Sequence, residues 1–429
     1  MIDTQAKPRP YVGLLALAAL LGLITAVVTF VFIVLVHAAT RLVWEQAASL
    51  AGLPPPVWTI LICTVGGLLV GLLVRAFGDH SGIFAEIMRE FGRSGRFDYR
   101  HAPGIVLTAI VSLASGASLG PEAPLADASG GIGTLLADRL HLDARATRSL
   151  SYSGVSAMLG AFVTSPVGGP LLALESAQGG GSGLTLYFWV LFPSLLAASV
   201  ATVVFVALSG AFFGTLYAFP EYLPSLRHLL QAIPLGLIGG VVGVLFFIVL
   251  QRLQRMMQPL KDRLVLRGLI GGLGLGIAGA IFPLVLFSGE EESLELIARA
   301  AEIGVPMLIL LAGVKLIVTG LGLATGWKGG YIFPVLFVGV ALGLATNLLF
   351  PQIPVAVAVS ATIAGALAAT MRAPLFAIMF TMVLVQRETA PVVAVAVVAA
   401  SLLAAMVALW NARGSQSLAP PEGAPPSSA

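Results

Sequence analysis

Glu122 lies in the run G-A-S-L-G-P-E-A-P, Gly116 to Pro124, deep inside apolar sequence. Proline fits the first turn of a helix because its missing N–H would be unpaired there anyway. Gly120 allows a sharp entry, so the spacing predicts a helix starting near 121–124, at membrane depth. A helix start presents unpaired N–H groups and the positive end of the helix dipole, and so attracts anions. A carboxylate at that start can occupy the anion's place itself and vacate it when protonated or displaced. One side chain can then gate a pore and accept a proton. The plain alternative is a first-turn acid that stabilises its own helix. In a segment this apolar an ionisable group is costly to keep, which favours function.

Two further helix starts share the pattern. Lys328-Gly329-Gly330 leads into Tyr331-Ile332-Phe333-Pro334, so the amides of Ile332 and Phe333 can point at an anion. His80-Ser81-Gly82-Ile83 offers a third start, with the Ser81 hydroxyl as a donor or as a plain N-cap. Donors without full charge suit a permeating anion, because they bind it without trapping it. The candidate anion-binding residues are therefore Ser81, Gly82, Ile83, Gly120, Ala123, Tyr331, Ile332 and Phe333, with Glu122 as gate and proton acceptor. Asp127, five residues past Glu122, and Glu175 are candidates for a proton path. The plain reading of each is a paired or helix-capping acid.

These starts need a lipid-embedded frame. The chain is 58% hydrophobic and 10% charged over 429 residues, against about 25% charged in soluble domains. Lipid must therefore be the solvent for most of its surface. Apolar runs recur from 12–39 to 389–410, several of them shorter than the ~20 residues a spanning helix needs. The fold class expected is an all-α polytopic membrane protein. The stretch from Val12 to Val36 is too long for a signal segment and reads as a retained first helix. Arg75, Arg89, Arg93, Arg96 and Arg100 crowd one connection, and Arg252, Arg255, Lys261, Arg263 and Arg267 another. By the positive-inside rule both face the cytoplasm, as does the N-terminus, in a cell (inner) membrane.

Internal repetition organises the chain. Gly120 to Pro124 and Gly330 to Pro334 both read G-x-x-x-P, at an offset of 210. Ser165-Pro166 and Ala373-Pro374 each begin a short apolar helix, offset by 208. Ser81-Gly82 and Ser288-Gly289 precede acids, offset by 207. The domains expected are a cytoplasmic segment 1–9, a first transmembrane repeat 10–210, a second 230–411, and a disordered tail 412–429 too short for a regulatory domain. A net charge of +3 is too small and scattered for nucleic acid. The single cysteine, Cys63, excludes an internal disulfide and a cysteine metal site. No nucleophile–base pair, metal-ligand cluster or cofactor motif is found, so no enzyme, metal or cofactor is expected.

The motif set resembles the CLC chloride channel and transporter family, and most closely a divergent bacterial branch described only as ion-transport proteins. G-P-E-A-P resembles the family's G-[RK]-E-G-P, which puts Glu122 at the gating glutamate. G-G-Y-I-F-P resembles G-x-F-x-P, and Ser81-Gly82-Ile83 resembles G-S-G-I-P, with Ser81 at the pore serine. The resemblance implies two inverted repeats of many short, tilted, broken helices, homodimers with one pore per subunit, and no CBS domains here. It implies chloride transport, read here as channel-like, with voltage gating in the family's name. Chloride/proton antiport and transport of fluoride or another anion are the alternatives. Five departures bear on mechanism, and three of them lie in the motifs: Ala123 replaces Gly, Pro121 replaces Arg or Lys, and Phe84 replaces Pro. Counting from Pro166, Ser176 falls where proton-coupled members carry an inner glutamate, and Glu175 falls just before it. No tyrosine follows Tyr331, so the family's pore tyrosine on a final helix is missing and the inner gate is incomplete or built differently.

Overall fold

The computed structural model describes residues 8–80, 82–177, 183–210 and 216–416, with backbone only at 8–10 and 411–416. Fifteen helices of more than one turn run through them, and the described residues contain no strand beyond one isolated bridge. The first repeat holds α1 (Pro8–Arg41), α2 (Pro55–Phe77), α3 (Phe84–Ser94), α4 (Ala102–Ala114), α5 (Glu122–Arg139), α6 (Ala144–Phe162), α7 (Gly168–Ser176) and α8 (Phe192–Ser209). The second holds α9 (Leu226–Met257), α10 (Leu264–Ile281), α11 (Glu290–Ala324), α12 (Ile332–Leu349), α13 (Val355–Met371), α14 (Pro374–Leu384) and α15 (Ala390–Gln416). α11 is two helices joined across non-helical Arg299 and Gly304, the latter at φ +74, just before Pro306. With that break, eight helices of one repeat answer eight of the other, in order. Among the described residues eight helices are long and apolar enough to cross a membrane.

The repeat holds at the level of the backbone. α5 and α12 begin and end 210 residues apart. Gly116 and Gly326, also 210 apart, both take left-handed dihedrals, φ +88 and +91. The turns before α7 and α14 use left-handed Thr164 and Arg372, so the apolar runs 149–175 and 353–384 each split into two helices. α1, α6 and α8 pack together in one repeat, as do α9, α13 and α15 in the other.

The halves are inverted, which apolar patterning alone could not reveal. α2 and its counterpart α10 pack antiparallel, with Gly71 against Val265, Gly67 against Gly268 and Gly272, and Ile60 against Gly276. A Cβ on Gly67 would lie 3.0 Å from the Gly272 Cα. Small residues at such a contact let helices approach until dispersion and Cα–H contacts hold them, since lipid supplies no hydrophobic drive between helices. Around this seam α6, α12 and α13 are buried on nearly every face, while α1, α2, α9 and α15 turn leucine and valine outward. That is the pattern of a protein dissolved in lipid rather than water.

The final helix continues to Gln416, past the boundary at 411 expected from the sequence. The rest of the expected tail, and the segment 1–7, lie outside the described residues.

Candidate functional site

The two central repeat helices start face to face. α5 begins at Glu122 with Pro121 as N-cap, and α12 begins at Ile332 with Tyr331 as N-cap. Just before them Gly120 and Gly330 exchange two backbone hydrogen bonds, N–H to O=C, at 2.8 and 2.6 Å. The internal two-fold therefore passes between these glycines, and each repeat aims one helix start at the other.

Glu122 closes the gap. Its side chain is 1% exposed, and Oε1 accepts the Ile332 N–H at 2.7 Å. The carboxylate thus sits on the helix start of the opposite repeat. The Phe333 amide faces it as well, while Oε2 is buried with no partner in ordinary hydrogen-bond geometry. The slot is shaped by glycine. A Cβ on Gly120 or on Gly330 would meet the Glu122 side chain before anything else. Ala123 is fully buried in the same first turn of α5. The Phe333 ring packs edge-on to Phe162 and Phe380, at 5.4 and 6.1 Å between centroids.

The third predicted start is α3, whose N-cap is Ile83 in extended conformation. Ser81 lies outside the described residues. Gly82 rests against Lys328, where an added Cβ would come within 3.3 Å of Cδ. Lys328 donates to the His80 carbonyl and stands 3.7 Å from Asp79. Asp79 also pairs with Arg267 at 2.5 Å. These groups line a cavity of about 370 Å³ with Gly82, Ile83, Glu86 and Lys261. A second cavity of about 220 Å³ is lined by Leu119 and Pro121, by His37, and by Glu290, Glu291 and Glu292. The first cavity meets α11 at its C-terminal end and the second at its N-terminal end. Leu119 and Pro121, on either side of Gly120, line the second cavity, and Lys328, two residues before Gly330, lines the first.

The two other predicted acids are elsewhere. Both oxygens of Glu175 cap α14, accepting from Leu375 at 2.7 Å and Phe376 at 3.0 Å. Asp127 shares the helix of Glu122 but lines a separate cavity with Glu90, Asp98 and His101.

Reasoning from sequence passed over one charged residue. Lys315 is fully buried inside α11. Its ammonium donates to the carbonyls of Val285, Leu286 and Phe287 at 3.2, 3.0 and 2.9 Å, and it lies 4.8 Å from the Phe337 ring. A lone lysine in an apolar helical run was the available signal.

The family model described as "Voltage gated chloride channel" matches residues 66–405. The chain belongs to the voltage-gated chloride channel (CLC) family. Among named CLC relatives, "Putative ion-transport protein YfeO" of Escherichia coli O139:H28 is 29% identical over 378 residues, covering 85% of this chain and 86% of its own. The Shigella sonnei protein of the same name is 28% identical over the same span. Two solved CLC structures share the fold. One is titled a slow cyanobacterial Cl−/H+ antiporter (TM-score 0.79, 24% identity, 94% of this chain and 98% of that one). The other is titled a CLC-type fluoride/proton antiporter (TM-score 0.77, 20% identity, 92% and 95%). The matched span contains the Gly120–Gly330 pair, Glu122 and the α12 start.

Proposed function

We propose that this chain moves chloride, or a similar small inorganic anion, through a pore gated by Glu122. One observation carries the reading: the Glu122 carboxylate accepts the first free amide of the opposing helix at 2.7 Å. An ionised carboxylate and a halide compete for the same N–H. When the side chain holds the amide the path is shut, and when it is protonated or displaced an anion takes its place. Deep placement makes the competition decisive, because no water offers the amide a third partner. The cavities at the two ends of α11 are the mouths. Arg267, Lys261 and Lys328 collect anions at one mouth, and the basic segments near it assign that side to the cytoplasm. The protein works in the inner membrane as a homodimer, one pore in each subunit.

With Ser176 in place of an inner acid, the gate alone makes a channel-like pore. Proton-coupled exchange is the second reading. Two solved structures of the same fold, both titled antiporters, favour it. Reconstitution in liposomes tests the gate. Glu122→Gln is expected to remove the pH dependence of chloride flux, and flux with unaltered pH dependence ends this assignment.

A further inference from the structure

Asp79 stands where the cations of one mouth meet. Its two carboxylate oxygens bridge two of them: Oδ2 pairs with Arg267 Nη2 at 2.5 Å, and Oδ1 stands 3.7 Å from Lys328 Nζ. The cations are the hidden members of the group. The Lys328 side chain is 3% exposed and that of Arg267 11%, against 38% for Asp79. Both cations are also held from elsewhere. Lys328 donates to the His80 carbonyl, and its own amide donates to Ser112 Oγ at 3.1 Å. Arg267 packs under Gly326, where an added Cβ would lie 2.8 Å from Nη2. Its Nε is buried with no partner among the described residues, so the guanidinium keeps a donor that the carboxylate does not take. Without the Asp79 charge, two anchored cations would line a cavity of about 370 Å³ with nothing between them.

Two full charges this close endanger a transport path. An anion held by them, partly shielded from water, is bound too tightly to leave. The danger grows with the charge of the anion. A carboxylate spans the pair with two oxygens, and a tetrahedral divalent oxyanion offers an oxygen pair of the same kind.

We infer that Asp79 is a built-in anion that reserves this mouth for monovalent ions: it fills the Arg267–Lys328 pair and keeps oxyanions of the sulfate class from blocking it. The inference rests on the reading of this cavity as an anion mouth. Lys261, Arg267 and Lys328 line it against the carboxylates of Asp79 and Glu86. The excess is one positive charge, and losing the Asp79 charge doubles it. A divalent anion gains twice as much from that change as chloride does. Glu122 competes for a backbone amide and Asp79 for side-chain charges, so the two carboxylates act on different donors.

The test uses the full chain in liposomes, with chloride followed by electrode and sulfate added on both faces. Wild-type flux is expected to resist sulfate. Asp79→Asn keeps the shape and removes the charge, and it should bring half-inhibition by sulfate down about 10²-fold or more. Asp79→Glu should restore resistance, and the Asp79→Asn/Arg267→Gln double variant should lose the inhibition because the pair is broken. Titration calorimetry in detergent reads the site without transport: sulfate should bind Asp79→Asn, and neither the wild type nor the double variant. Equal sulfate inhibition in wild type and Asp79→Asn overturns the inference. So does a loss of flux in Asp79→Asn that is the same with and without sulfate, which would make Asp79 a support of the fold alone. If no form of the chain moves chloride, the reading of the cavity as a mouth fails by itself, and sulfate binding in detergent still decides the assignment of Asp79.

Discussion

Alanine at position 330 isolates the gate from the rest of the fold. Gly330 has no left-handed dihedral, so an L side chain there is not strained by its own backbone. The three atoms nearest an added Cβ are Cγ, Cδ and Oε1 of Glu122. All belong to one flexible side chain, which must leave the Ile332 amide. The bond lost joins an ionised acceptor to an N–H at 2.7 Å, and such bonds contribute about 1.5–3 kcal/mol. At about 1.4 kcal/mol per factor of ten, the carboxylate vacates the amide roughly 10- to 100-fold more often. An anion competing for that amide gains the same factor. In liposomes at neutral pH, half-saturating chloride for Gly330→Ala should therefore fall about 10- to 100-fold. Glu122→Ala should match it, and the double variant should go no further, because the clash partner is gone and the two changes are not additive. Wild-type half-saturation in Gly330→Ala, or independent addition in the double variant, would refute the shared-amide argument.

Two other predictions concern the supports of the site. Lys315→Met strands the buried carbonyls of Val285, Leu286 and Phe287. It should lower stability by on the order of 3 kcal/mol or more, read as an earlier thermal unfolding midpoint in detergent, and an unmoved midpoint would contradict the cage. Glu175→Gln leaves one of two cap amides without an acceptor and should cost about 1 kcal/mol, with proton movement per chloride as in the wild type. Loss of proton movement would place Glu175 in a transfer route instead.

The repeat was legible because its landmarks are conformational. The prolines of G-x-x-x-P, and those of Ser165-Pro166 and Ala373-Pro374, mark helix starts, so side-chain drift between the halves could not erase them; the left-handed pair Gly116 and Gly326 keeps the same offset but carries no such sequence mark. The inversion was not legible. Short broken apolar runs do not reveal how many times the chain crosses, and only the antiparallel α2–α10 seam decides it. Glu122 could be singled out as a carboxylate at a proline-marked helix start. That it reaches across to Ile332 depends on the Gly120–Gly330 bridge, a contact over 210 residues that no local pattern encodes. Glu175 shows the opposite outcome: the plain capping reading describes its contacts, but on a helix of the other repeat. Asp79 and Lys315 were missed for different reasons. Asp79 resembles any acid in a connection between helices, whereas Lys315 was visible as a charge in apolar sequence and was not weighed.

The two-fold axis explains why one carboxylate suffices. Residues 120 and 330 are equivalent glycines and close the bridge symmetrically. Two positions on, the symmetry breaks: Glu122 corresponds to Ile332. A glutamate at both positions would bring two carboxylates into one buried slot, where like charges are strongly unfavourable and one must stay protonated. An apolar residue at both would leave two helix starts open to anions with nothing to compete. One acid against one bare helix start gives a closed state held mainly by the Ile332 amide, light enough for an anion or a proton to break. It also makes closure a contact between repeats, so that neither half can form the gate alone. A shift of the α2–α10 seam, which joins the two repeats, should then act on gating through that contact.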